Sequence, residues 1–235
     1  MAGNTQNLEH FDHRDLTLGL LTFASSATDV IAFLKLQEVF TSAMTGNTAL
    51  LGLAIGRGHV FAAIHSLIAL GGYIGGVALG ALVHARDKQR ELMLILLAEA
   101  GFLGLFFVLW SQIGFPTEGI WLAILIACSA IGMGLQSVAA RKINLDGIPT
   151  VVFTSTLTSI VMTLMHASVR GGNISIFNAK RQSLAFAIYA SGAALTAALL
   201  WQGFNAATSI PLLAIFGALA TQYRVSRTQG SSLAR

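Results

Sequence analysis

The chain has 235 residues, of which 54% are apolar and 10% charged, and its net charge is +4. A soluble domain carries roughly a quarter charged residues, so a water-soluble globule is excluded, and the positions of Lys and Arg relative to a bilayer matter more than their sum. The single cysteine, Cys128, excludes internal disulfides and thiolate metal cages.

Residues 1–15 are polar and contain Glu9, His10, Asp12, His13, Arg14 and Asp15. A secretory signal starts instead with a basic stretch and a short apolar core, so this segment reads as a polar cytoplasmic N-terminus and the first apolar segment as a retained span. A bilayer-spanning helix needs about 20 mostly apolar residues. Stretches of that kind fall at about 16–36, 39–56, 60–84, 92–111, 119–140, 149–168, 184–203 and 207–223. They define one integral membrane domain over 16–223, followed by a cytoplasmic tail at 224–235. No room is left for a soluble catalytic domain.

The first segment holds an acid, Asp29, among Ser25, Ser26 and Thr28. The second, FTSAMTGNTALLGLA (40–54), is crowded with Thr and Ser and has Gly46 and Asn47 at its centre, and the sixth, VVFTSTLTSIVMTLM (151–165), is similarly rich in hydroxyls. Such backbone at membrane depth faces protein or a water-filled cavity rather than lipid. These two segments therefore predict short or interrupted intramembrane helices. The third, GGYIGGVALGALV (71–83), has glycines at i and i+4, a spacing that lets helices approach closely. Its partner could be in the same chain or in a second copy, which makes a homo-oligomer one expectation. The fourth segment carries Glu99, and the fifth carries Gln136 followed by the basic pair Arg141 and Lys142. Trp110, Trp121 and Trp201 fall near segment ends, where an interfacial aromatic belt would put them.

Charge placement tests the number of crossings, because cytoplasmic loops collect Lys and Arg. With eight crossings the basic residues divide almost evenly between the two sides. If the two Thr-rich segments instead enter and leave on one side, Arg14, Arg86, Lys88, Arg90, Arg141, Lys142, Arg170, Lys180, Arg181, Arg224, Arg227 and Arg235 share the side of the N-terminus, and Lys35 and Arg57 face them. The expected fold is thus all-α and polytopic, with about six transmembrane spans, two intramembrane elements and both termini in the cytoplasm.

An internal repeat points the same way. At an offset of 113 residues, Val39, Phe40, Thr41, Ser42, Thr45 and Leu51 match Val152, Phe153, Thr154, Ser155, Thr158 and Leu164. The halves run over about 16–111 and 119–223. Three crossings per half start the second copy on the opposite side, which is the inverted-repeat plan of many transporters, whose sites lie near the midplane at broken helices.

The combination of LTFASSATDVIAFLKL (21–36), VFTSAMTGN (39–47), GLQ at 134–136 with the basic pair after it, and IPTVVFTSTLT (148–158) resembles the YoaK family of bacterial membrane proteins over nearly the whole chain. The resemblance implies a compact inner-membrane protein of about six spans, and it pairs Thr45 and Gly46 with Thr154 and Ser155. The chain departs from the family pattern in two places. Ser137 stands where Asn would follow GLQ, and Thr154, Ser155 and Thr156 stand where TGT is usual, which removes a helix breaker from the second element.

An acid at the depth of Asp29 costs roughly 2.5–3.5 kcal/mol on insertion scales. It reads as a proton or cation site, as a hydrogen bond between helices, or as a position near a membrane surface beside Lys35. Glu99 poses the same question as a second ionisable group. A break at Gly46 would expose helix half-ends, whose amides favour anions and whose carbonyls favour cations. Asn47 could cap the second half-helix, with hydroxyls from Thr41, Ser42 and Thr45 nearby. Thr154 and Thr158 complete the candidate pathway with Gln136, a buried amide that either faces the pathway or ties two spans together. His65 and His166 have no second ligand at helical spacing, and no P-loop, dinucleotide fingerprint or GxSxG elbow occurs. The expectation is a small-solute transporter or channel without cofactor, metal or nucleic-acid partner. The alternatives are a non-transporting assembly or regulatory protein and, remotely, an intramembrane enzyme.

Overall fold

The computed structural model describes residues 11–114, 118–143, 153–170 and 173–232; the side chains at 153–155, 164, 166–170, 173–176, 178 and 228–232 lie outside that description. Among the described residues there are eight α-helices: α1 (His13–Lys35), α2 (Met44–Arg57), α3 (Val60–Leu82), α4 (Lys88–Ile113), α5 (Ile120–Ile143), α6 (Phe153–Arg170), α7 (Asn173–Trp201) and α8 (Ile210–Ser232), with a 3-10 turn over Asn205–Ser209 before the last. Six of them, α1, α3, α4, α5, α7 and α8, are long and apolar enough to cross a membrane. The Thr-rich segments give α2 and α6, of 14 and 18 residues. At 1.5 Å per residue α2 reaches about 21 Å, short of a hydrocarbon core about 30 Å thick.

Helix α1 starts three residues before its apolar segment because Asp12 and Asp15 form a capping box. Asp12 accepts from the Arg14 and Asp15 amides, and Asp15 accepts from the Asp12 amide at 2.9 Å.

Side-chain pairings fix the direction of every long helix. Gln222 of α8 donates to Thr17 of α1 and accepts from Gln89 of α4, and Lys142 of α5 pairs with Glu91 of α4. Asp15 of α1 pairs with Arg181 of α7, and Gly80 of α3 packs on Val138 of α5. The start of α1, the end of α3, the start of α4, the end of α5, the start of α7 and the end of α8 therefore share one end of the molecule. The chain leaves α1 at the far end and enters α3 at the far end, so α2 does not cross. It leaves α5 and enters α7 at the N-terminal end, so α6 does not cross either. The two short helices enter from opposite ends.

The packing obeys one exchange rule. Helices α3 and α4 pack on α5 as α7 and α8 pack on α1, α2 lies on α3 as α6 lies on α7, and α4 meets α8 while α1 meets α5. Swapping α1–α4 for α5–α8 leaves this pattern unchanged, and α5 starts at the end opposite to α1. The chain is thus an inverted repeat around a central ring of α1, α8, α4 and α5.

Glycines on one face of α3 and on α5 serve that packing. A Cβ at Gly76 would overlap the Ile131 carbonyl, and one at Gly134 would overlap the Tyr73 carbonyl. Gly71 and Gly75, on the adjoining face, have open space. Trp110 departs from its expected interfacial position: it is buried beside Phe106, ring centroids 5.8 Å apart, whereas Trp121 and Trp201 are exposed. It lies one turn before the end of α4 and faces α5, so packing decides its environment.

Candidate functional site

The interruption predicted at Gly46 falls earlier in the chain. Helix α2 is continuous from Met44, and the non-helical stretch is 36–43. Helix α1 ends with Leu36 N–H donating to Ala32 and Glu38 N–H donating to Phe33, and Gln37 and Glu38 both take left-handed φ angles of 63° and 58°. Two consecutive non-glycine residues in that region store strain. They reverse the chain so that 39–43 runs back along α1 towards the middle of the molecule.

Asp29 receives the returning strand. Its Oδ1 accepts from the Thr41 amide at 2.8 Å, the Thr41 hydroxyl at 3.2 Å and the Ser42 amide at 2.7 Å. Its Oδ2 accepts from the Ser42 hydroxyl and, at 3.0 Å, from the Tyr189 hydroxyl of α7. Ser25 adds a bond to the Ser42 hydroxyl at 2.8 Å. Five donors on two oxygens suit an ionised carboxylate, which only accepts. Asp29, Thr41 and Ser42 are all buried.

The MTGN element holds the same strand from its other flank. Asn47 is not a helix cap: its Oδ1 accepts from the Phe40 amide at 2.9 Å and its Nδ2 donates to the Phe40 carbonyl at 2.6 Å. Gly46 leaves space for the Phe40 ring, which a Cβ would meet at 2.9 Å. Phe40 in turn stacks on Phe33, centroids 5.0 Å apart. Thr45 points outward and is exposed.

Between α1 and α7, next to these groups, lies a cavity of about 410 Å³ lined by Asp29, Val30, Phe33, Leu34, Phe40, Tyr189, Ala193 and Ala197. Its walls are mostly apolar, with the carboxylate of Asp29 and the hydroxyl of Tyr189 as polar groups. The volume is within the usual range for small-molecule sites. A second cavity of about 420 Å³ lies along the same α1–α7 seam near its N-terminal end, beside Asp12, Asp15 and Gly19.

The remaining expected site residues do not converge here. Gln136 donates from Nε2 to the Leu21 carbonyl at 2.8 Å, about 12 Å along α1 from Asp29 at helical rise. Glu99 is fully buried in α4, in the central ring. Thr158 lies on α6 with an exposed side chain, and the side chain of Thr154 lies outside the described residues, as does that of Ser155. Tyr189 was not among the expected residues. Its signal was a single tyrosine among small side chains in YASGAAL (189–195). The buried pair of Asp15 and Arg181, 2.8 Å apart, also went unforeseen because its partners are 166 residues apart. Among the described residues no group of three metal-ligating side chains occurs.

Residues 17–221 match the family described as "Protein of unknown function (DUF1275)". The chain is also 31% identical over 217 residues to the UPF0700 transmembrane protein YoaK of Bacillus subtilis (strain 168), which covers 89% of this chain and 94% of that relative. No solved structure matches the chain.

Proposed function

The chain belongs to this DUF1275 family of multi-pass membrane proteins, the one that includes YoaK, and from that premise we propose that it is a small-solute transporter or channel of a bacterial inner membrane. The observation that carries the reading is the pair of short helices entering exchange-symmetric halves from opposite ends, the plan on which alternating-access carriers are built. The solute site in this reading is the cavity of Asp29, Tyr189, Phe33 and Phe40, where the first short element folds onto α1 and α7. Among the described residues Arg14, Arg86, Lys88, Arg90, Arg141, Lys142, Lys180, Arg181, Arg224 and Arg227 belong to the end where α1 starts and α8 finishes, and Lys35 and Arg57 to the far end, which supports a cytoplasmic location for the first end. The activity requires no enzyme chemistry and no cofactor.

Purified protein in liposomes, screened for flux of protons and common metabolite ions, tests the proposal. Flux above empty liposomes is expected, and it should fall about tenfold in Tyr189→Phe, a change equivalent to loss of one hydrogen bond of roughly 1.4 kcal/mol. Flux no greater than the empty-liposome background across the screen counts against transport. One observation favours a second reading, a non-transporting assembly or regulatory protein: Asp29 and Asn47 spend their hydrogen bonds mostly on the chain's own residues 40–42. In that case Gly71 and Gly75, whose face is open, are the natural contact for a second copy.

A further inference from the structure

Among the described residues, three side chains on three helices of the central ring are fully buried and have polar atoms without hydrogen-bond partners: both carboxyl oxygens of Glu99 in α4, Oε1 of Gln136 in α5 and Oγ1 of Thr22 in α1. Helix register brings the first two to one level. Gly132 of α5 packs against Phe102 and Leu103 of α4, and Lys142 pairs with Glu91 farther along the same antiparallel pair. Glu99 lies one turn from Leu103, and Gln136 lies one turn from Gly132 in the matching direction. Thr22 follows Leu21, whose carbonyl accepts from Gln136.

The orphaned atoms of Glu99 and Gln136 are all acceptors when Glu99 is ionised. The Thr22 hydroxyl brings one donor to the three orphaned acceptors and leaves two of them unmet, and a buried charge without an opposite charge is among the costliest arrangements in a protein. A hard cation would gather about six oxygens, but α1, α4 and α5 are continuous helices whose carbonyls are already engaged, and Leu96, Ala100, Leu103, Met133 and Leu135 fill the same core. A proton needs no cavity and supplies the missing donor. A neutral Glu99 can donate to Gln136 Oε1 and satisfy two orphans with one bond.

We propose that Glu99 is a proton-binding site: in this conformation it carries a proton that bonds α4 to Gln136 of α5, which is bonded in turn to Leu21 of α1. The proton is taken from water and returned to it when the ring of helices rearranges, and Glu99 alternates between carboxylic acid and carboxylate. Among the described residues no other ionisable group competes at that level. On α5 the described titratable or charged residues are Cys128, Arg141 and Lys142, and on α8 they are Tyr223, Arg224 and Arg227. Cys128 is two turns beyond Gln136, Lys142 is engaged with Glu91, and the α8 groups follow Gln222 at the N-terminal end. Asp29 on α1 is two turns from Leu21 and has its own donors. That this proton couples to solute movement rests on the transport reading; that Glu99 holds it does not.

Infrared difference spectroscopy of the protein in lipid, wild type minus Glu99→Gln at neutral pH, is the test. A protonated-carboxyl stretch present in the wild type and lost in Glu99→Gln is expected. Gln136→Met, which removes the acceptor but keeps the shape, should shift that band to the frequency of an acid without a hydrogen-bond acceptor, a readout that survives if Glu99→Gln fails to fold. A carboxylate band at neutral pH, or a sodium-dependent rise in melting temperature that Glu99→Gln abolishes, overturns the proposal in favour of an ionised or cation-holding Glu99. The acid band in a protein that moves no solute retains the proton site and overturns its transport role. Solute flux without the acid band does the reverse.

Discussion

Asp29 is held by donors rather than by another charge, and this separates its two obvious substitutions. Asp29→Asn keeps one oxygen for the amides of Thr41 and Ser42, and its new NH2 faces the hydroxyls of Ser42 and Tyr189, which can rotate to accept. Thermal unfolding in detergent should show a loss of no more than about 1–2 kcal/mol. Asp29→Leu leaves two buried amides unpaired, at about 1–3 kcal/mol each, so it should be far more harmful. Equal effects of the two substitutions would mean that the carboxylate charge, not its acceptor capacity, matters. The neighbouring motif offers a similar contrast. Asn47→Ala removes both bonds to Phe40 and should cost about 1–3 kcal/mol, whereas exposed Thr45→Ala should stay within about 0.5 kcal/mol. The same melting measurement checks both.

At the scale of the helices, glycines of the α3–α5 pair have opposite roles. Gly134→Ala in α5 would force a methyl group into the Tyr73 carbonyl and should destabilise by about 1–3 kcal/mol or more. Gly75→Ala in α3 meets nothing and should be neutral or slightly favourable, because alanine is the better helix former. A melting-temperature comparison of the two single variants decides whether the α3–α5 contact is as close as described. The existence and order of the helices were legible in the sequence because hydropathy sums over a segment, but their lengths were not: α7 begins at Asn173, 11 residues before the expected apolar segment, and α2 has 14 residues rather than 18. The special character of the second and sixth segments was legible through their hydroxyls, which are a local property. The location of the break was not legible. Gly46 looks like a breaker when read alone, but it is the seat for Phe40, and the reversal uses Gln37 and Glu38, residues with no reputation for left-handed backbone. Which carbonyl Gln136 finds, or that Tyr189 reaches Asp29 from 160 residues away, depends on helix rotation, which hydropathy does not encode.

For the whole molecule, the orientation of the halves follows from charge placement and from contacts that charge placement could not have anticipated. Single cysteines replacing Arg57 and Arg141, in a Cys128→Ser background, should be labelled from opposite faces of the membrane by an impermeant reagent, because α2 ends at the far end and α5 at the N-terminal end. Labelling of both from one face would require α2 to cross and would dismantle the inverted repeat.

The five donors to Asp29 also differ in when they become available to a chain leaving the ribosome. Four come from Thr41 and Ser42, 12 or 13 residues downstream, and the fifth from Tyr189, 160 residues downstream. At about 5–20 residues per second, the helix carrying Tyr189 follows the first span by roughly 10–30 s. Through that interval α1 has neither α7 nor α8 beside it. The reversal at 36–43 supplies a short local cover for the acid, so the first hairpin can enter the membrane with its charge already clothed and wait there for its distant neighbours. Lengthening that turn should therefore lower the yield of inserted protein before it changes the stability of any molecule that completes its fold.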